Sequence, residues 1–176
     1  GLHGVGVSVV SALSDSLQVD IERSGDDNRY QICFKNGVIS KKLKSISRCP
    51  KSSHGTSITF KPNSKYFDNE NIDIHRLHKL TEAKSILKPG LKITIEDNKY
   101  SIGKKVYCHT GSLDTYLKSS LSDSVLPENP IHFQLENELF EVSTAICWHI
   151  DSEENIQDSY VNLIPTLEGG THVNSL

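Results

Sequence analysis

Three glycines, Gly1, Gly4 and Gly6, are spaced G-x-x-G-x-G in "GLHGVGVSVV" and run directly into an apolar stretch. The first turn of a helix leaves backbone amides unpaired and carries a partial positive charge. Glycines let that backbone come close to an anion, so a glycine loop opening a helix is suited to phosphate. The alternative is a tight turn whose glycines serve only close packing. The spacing lacks the lysine and hydroxyl residue of G-x-x-x-x-G-K-[ST], and no strand precedes it within the chain. It therefore supports neither a P-loop nor a dinucleotide fold.

Other chemistry is thinner. His75 and His78 are three residues apart on an expected helix and could chelate, but no carboxylate or cysteine is spaced to complete a metal site. A solvated helix face is the simpler reading, and no metal site is assigned. His172 follows two glycines in "EGGTH", which fits a functional loop without demanding one. Serines are plentiful, yet no G-x-S-x-G elbow occurs and no cysteine has a persuasive histidine partner. The acidic "DSEEN" reads as a solvated loop. Cys33, Cys49, Cys108 and Cys147 form no C-x-x-C pair and read as reduced thiols of a cytosolic protein.

The elements that must position these residues follow from periodicity. Val5, Val9, Val10 and Leu13 fit one helical face over residues 5–13. Leu17, Val19 and Ile21 alternate with polar residues, as do Tyr30, Ile32 and Phe34, which predicts two strands. Asn36-Gly37 signals a two-residue hairpin, followed by a weaker strand over residues 38–43 and another at "TSITFKP". Residues 73–87 predict a helix with Asp73 as N-cap and Leu77, Leu80, Ala83 and Leu87 along one side, ended by Pro89-Gly90. Strands at residues 91–95 and 100–107 and a helix at 113–121 complete the first part. "SSLSDSVLPENP" reads as a linker because it is polar and carries two prolines. Beyond it, "LFEVSTAICWHI" and "YVNLIPT" each read as a strand. The fold class is α+β, mostly antiparallel sheet with helices on one face.

The chain of 176 residues is ordinary globular material, 36% hydrophobic and 23% charged. A net charge of −3 gives no electrostatic case for nucleic-acid binding by these residues, although it excludes no DNA partner. No run is long and apolar enough for a membrane span, so no membrane partner is expected. The absence of methionine suggests an internal piece of a longer protein.

Taken in order and at these separations, "GLHGVGVSVVSALS", "HGTSITFKP" and "YVNLIPTLEGGTHV" resemble the B subunit of bacterial type IIA DNA topoisomerases. The matches span the whole chain. The ending "SYVNLIPTLEGGTHVN" is more similar to the topoisomerase IV branch than to the gyrase branch.

The resemblance implies the C-terminal part of a GHKL-type ATPase domain over residues 1–121, beginning in the ATP lid. A linker over 122–130 and the first part of an α+β transducer domain over 131–176 would follow. Gly1, Leu2, His3, Gly4, Val5 and Gly6 match lid positions that offer amides to a triphosphate. Thr56 matches a position beside the adenine pocket, Ile58 the apolar wall behind it, and Arg23 an arginine at the pocket mouth. The implied cofactors are ATP and Mg²⁺. The general-base glutamate, the Mg²⁺-holding asparagine and the adenine-reading aspartate would all lie upstream, so these residues alone would not hydrolyse ATP. The implied partners are DNA, a topoisomerase A-type subunit in an assembly of two A and two B subunits, and a second B subunit on ATP binding. The implied setting is the bacterial cytoplasm, at the nucleoid. A gyrase B subunit, or a diverged module that binds nucleotide or a partner without turnover, are the competing expectations. Ser11 stands where the family usually has asparagine, and Ser175 where glycine usually follows "THVN".

Overall fold

A computed structural model describes residues 4–69, 71–99, 103–121, 125–150, 157–166 and 168–174. The chain forms two compact units that divide between Ile72 and Asp73.

The first unit is helix α1 (Gly6–Ala12) and a four-stranded antiparallel sheet. Its strands are β1 (Ser14–Glu22), β2 (Asn28–Lys35), β3 (Val38–Arg48) and β4 (Gly55–Pro62), in the spatial order β3-β2-β1-β4. The helix passes into β1 with almost no connection, because the Ser14 hydroxyl donates to Val10 O at 2.6 Å and caps the last turn while the strand begins. The Asn36-Gly37 turn is the one its residue types predict, with φ of +49° and +77°. At Gly37 a side chain would be doubly excluded: φ is positive, and a Cβ would stand 3.1 Å from the Ala12 Cα. Strand β3 runs well past the residues 38–43 expected, reaching Arg48 with every residue exposed. Its pairing with β2 breaks register at three places, so it is a bulged edge strand that alternation alone under-reports.

The second unit begins with α2 (Ile74–Leu87), whose N-cap Asp73 accepts from Arg76 N at 3.0 Å, as its position predicts. The buried positions of α2 are Thr81, Ser85 and Ile86, whereas Leu80 stays 39% exposed. Of the stripe expected along Leu77, Leu80, Ala83 and Leu87, only Leu80 is exposed and the other three are half-buried beside Thr81, Ser85 and Ile86. The hairpin of β5 (Lys92–Asp97) and β6 (Gly103–Cys108) contacts this helix, and Ile95 and Tyr107 are its buried residues. His78, expected on a solvated face, is part-buried, with its Nδ1 2.6 Å from the Tyr107 hydroxyl. It ties helix to hairpin.

Helix α3 (Leu113–Ser120) packs on a second hairpin, β7 (Val125–Glu136) and β8 (Glu141–His149). Residues 125–130 of the segment read as a linker are the start of β7, while Ser122, Asp123 and Ser124 lie outside the described residues. Pro127 and Pro130 are accommodated because the ladder is interrupted between Leu126 and Ile131, where no amide is needed. "YVNLIPT" is likewise not a single strand. It folds back on itself as β9 (Tyr160–Val161) and β10 (Ile164–Pro165), turning at Asn162 and Leu163 with φ of +48° and +67°. A short helix, α4 (Thr171–Asn174), ends the described chain.

Leu17 is 2% exposed and is the large apolar residue most fully enclosed among those described. Leu17→Ala should lower the unfolding free energy by about 2–4 kcal/mol, the range for a buried leucine that leaves a cavity. Urea denaturation followed by circular dichroism reads the change directly.

Candidate functional site

The register of β1 sorts its side chains onto two faces. Leu17 sits opposite Phe34 and Phe60, Val19 opposite Ile32 and Ile58, and Ile21 opposite Tyr30 and Thr56. These residues make one apolar face that ends in a hydroxyl. Gln18 sits opposite Cys33 and Thr59, Asp20 opposite Gln31 and Ser57, and Glu22 opposite Arg29 and Gly55. These make the polar face. Directly opposed residues share a side of the pleat, so no side chain can change face without shifting the whole strand.

The polar face holds a built network. Asp20 is 6% exposed and accepts from Gln18 Nε2 and Gln31 Nε2, each at 2.8 Å. Arg29 lies beside both carboxylates, with Nη2 3.8 Å from Asp20 Oδ2 and Nε 3.7 Å from Glu22 Oε1. The two amide donors, then the guanidinium, hold the Asp20 carboxyl below its ordinary range against the opposing effect of burial. A cleft of about 240 Å³ opens here, lined by Asp20, Glu22, Arg29, Gly55, Thr56 and Ser57. Two carboxylates against one guanidinium leave it without the positive excess a triphosphate needs. Its chemistry is that of a structural ion network, whose only sign in the sequence is the polar half of two alternating strands.

Of the residues expected at a nucleotide site, Gly1, Leu2 and His3 lie outside the described residues. Gly4 has φ +63°, a left-handed conformation natural to glycine, and turns the chain into α1. Val5 is the N-cap of α1 without a side-chain capping bond, and Gly6 is its first residue. Thr56 and Ile58 fall together on the apolar face of β4, where Ile58 is 45% exposed. The Thr56 hydroxyl has no hydrogen-bond partner among the described residues. Arg23 follows the end of β1 beside Thr56's partner Ile21, and its carbonyl accepts from Asp26 N at 3.0 Å to close a turn. The structure therefore places Thr56 and Arg23 near the C-terminal end of β1 and Ile58 beside the middle of that strand, on the same face as Thr56. Helix α1 joins the other end of that strand, at Ser14, and no hydrogen bond among the described residues links Gly4, Val5 or Gly6 to the first group. Ser11 is 9% exposed with its Oγ unpartnered among the described residues, and Ser175 lies outside them.

The side-chain ties of the second unit are not legible in the sequence, because each joins distant residues. His132 Nε2 is 3.0 Å from the Ser143 hydroxyl and its Nδ1 3.6 Å from Asp114 Oδ1, which fastens α3 to the β7–β8 hairpin. His172 Nε2 is 2.7 Å from the Ser159 hydroxyl, which also accepts from Thr166 Oγ1 at 2.7 Å. The "EGGTH" histidine thus secures α4 to the open end of the β9–β10 hairpin, opposite its turn. Among the described residues no cluster of three His, Cys, Asp or Glu could hold a metal ion.

The four-stranded antiparallel sheet with a glycine-led helix running into β1 has the GHKL-type ATPase fold of solved topoisomerase B-subunit domains. The DNA gyrase B family model matches residues 112–176. The B subunit of DNA topoisomerase 4 from Pseudomonas aeruginosa is 41% identical across all of this chain, which spans 28% of that protein. The topoisomerase IV ATP-binding domain of Francisella tularensis, solved with a small-molecule inhibitor, superposes with a TM-score of 0.80 at 38% identity, covering 97% of this chain and 45% of that one. The ATPase domain of Thermus thermophilus gyrase B, solved with an aminocoumarin, gives 0.81 at 28% identity, covering 99% of this chain and 47% of that one. Along its whole length the chain is similar to B subunits of DNA topoisomerase 4 and DNA gyrase, of which it spans less than a third.

The depressed Asp20 carboxyl makes a pH prediction. A carboxyl whose acidity is greater folded than unfolded stabilises the fold above its unfolded value, near 3.8, and that contribution is lost as pH falls through the folded value. Urea midpoints should therefore fall between pH 5 and strongly acidic pH. Asp20→Asn should flatten that fall, and an unchanged pH profile would show that the network contributes nothing.

Proposed function

We propose that this chain is the lid-to-transducer portion of the ATP-binding subunit of a type II DNA topoisomerase of the topoisomerase IV branch. The observation that carries the reading is full-length similarity at 41% identity to a topoisomerase 4 B subunit, against 28% to the gyrase B domain of the same fold. Residues 1–121 belong to the ATPase domain and residues 131–176 open the transducer; the family match over residues 112–176 takes in all of the second segment and the end of the first.

Thr56 and Ile58 suit an adenine. One offers a free hydroxyl to a heterocycle edge, and the other an exposed apolar side chain on the same face of the sheet. Arg23 supplies positive charge just past the end of β1. The turn at Gly4 and the uncapped first turn of α1 present amides of the kind that donate to phosphate oxygens. Lid amides that contact a terminal phosphate bind triphosphate better than diphosphate, and that difference in contacts is what lets a nucleotide shift a conformational equilibrium. Bound ATP supplies the terminal phosphate. The residues of this chain bind and orient it. No metal-ligating cluster among the described residues fits Mg²⁺, and no step here depends on it.

In the assembled enzyme, ATP closes two B subunits around a DNA segment, which passes through a second duplex cut by the A-type subunit. That work belongs to the bacterial cytoplasm, at the nucleoid. Reconstituted with its A-type partner, the gene product carrying this sequence should unlink catenated DNA rings only when ATP is present. Unlinking without ATP, or none with it, contradicts the reading. Thr56→Val and Arg23→Ala should each weaken binding of a fluorescent ATP analogue about tenfold, equivalent to about 1.4 kcal/mol for one lost polar contact. Unaltered binding by both variants removes the assigned pocket.

A further inference from the structure

The net charge of −3 conceals a separation of charge within the sheet. Asp20, Glu22, Asp26 and Asp27 gather at the end of β1 and the turn that follows it, where Arg29 and Arg48 pair with them. Across the sheet from β1, toward the edge strand β3, the same polar face is basic. Lys41 sits opposite Cys33 and Lys44 opposite Gln31, so both lysines share the polar face of β2. Lys35 sits opposite Ser16 on that same face. Lys35, Lys41 and Lys44 are exposed, and none has an ion-pair or hydrogen-bond partner among the described residues. Strand β3 holds Lys41, Lys42, Lys44 and Arg48 and no acidic residue.

Lysines on an edge strand can serve only to discourage pairing with another sheet. Here the edge is already spoiled, because β3 breaks register with β2 at three places. The cations are also not confined to the edge strand: Lys41 and Lys44 of β3 share one face with Lys35 at the end of β2. Opposed to Cys33 and Gln31, two residues apart, Lys41 and Lys44 are separated by about 7 Å along the strand direction. An open row of unpaired cations encloses no small anion, but it suits an extended polyanion held at several separated points.

We propose that the basic half of this sheet face, centred on Lys35, Lys41 and Lys44, docks the phosphate backbone of duplex DNA without reading its sequence. The choice of duplex DNA as the polyanion rests on the topoisomerase reading above; the basic row itself does not. Each lysine that neutralises a phosphate releases condensed counterions, so binding weakens with salt in proportion to the number of such contacts.

The test is fluorescence anisotropy of two labelled duplexes of unrelated sequence, titrated with the gene product carrying this sequence over a salt series. The combined variant Lys35→Gln/Lys41→Gln/Lys44→Gln should bind both duplexes about tenfold or more weakly, with a salt slope shallower by about one per lysine removed. The matching arginine variant should bind as the unmodified protein does. Lys79→Gln/Lys88→Gln, on and just beyond α2, should change neither quantity. An unchanged slope in the glutamine variant overturns the proposal, and self-association of that variant in sedimentation with unchanged DNA binding assigns the lysines to guarding the edge. Binding of the fluorescent ATP analogue is read in the same samples. Lost slope with intact nucleotide binding supports the surface and the topoisomerase reading together, whereas a lost slope in a protein that binds no nucleotide supports the surface and removes the reading.

Discussion

The antiparallel register of β1 between β2 and β4 is the constraint on which the first unit depends. Side chains alternate with a period of two, so pairing Val19 with Ile32 and Ile58 also fixes Asp20 between Gln31 and Ser57. A slip of one residue would turn Leu17 toward solvent and push the Asp20 carboxylate into the apolar face, unpaired, at a cost of several kcal/mol. The register is set by two devices at the same end of the sheet. Asn36 and Gly37 fix where β2 meets β3, and the Ser14 hydroxyl fixes where α1 hands over to β1. The Gln18–Asp20–Gln31 bonds then lock one alignment from the polar side, while Leu17 locks it from the apolar side.

Much of this was legible because local chemistry decided it. Asp73 caps α2 since a short carboxylate before a helix meets free amides, and Asn36-Gly37 turns since both residues tolerate positive φ. The elements that escaped are those whose physics is not local. Pro127 and Pro130 look like a break in the sequence, but the strand absorbs them by skipping ladder bonds between Leu126 and Ile131. "YVNLIPT" carries strand-forming residues throughout, and nothing in the alternation reveals that Asn162 and Leu163 turn it back on itself. His78 has the spacing of a surface residue, and only the arrival of Tyr107 from β6 makes it an internal tie.

The candidate site divides in the same way. Thr56, Ile58 and Arg23 come from separate stretches, and the residue types alone would not have grouped them; their place in a resembling family did. The fold then puts them along the second half of β1, Thr56 and Ile58 on its apolar face and Arg23 just past its end. The charges follow the opposite logic. They are segregated within the polar face, acid with arginine along β1 and the turn after it and unpaired lysine across the sheet on β2 and β3, which a summed charge cannot register. One sheet thus keeps two kinds of surface apart: an apolar face with a hydroxyl, suited to a heterocycle, and a polar face suited to ions.

The central claim is that the apolar face at Thr56 and Ile58 is the nucleotide face. Methyl-labelled NMR of the gene product carrying this sequence tests it most directly, because Thr59 lies on the opposite face of the same strand, paired with Gln18. On adding a non-hydrolysable ATP analogue, the methyl signals of Thr56 and Ile58 should shift together while that of Thr59 holds still. A shift at Thr59 with Thr56 and Ile58 unmoved would place the ligand on the polar face and contradict the account.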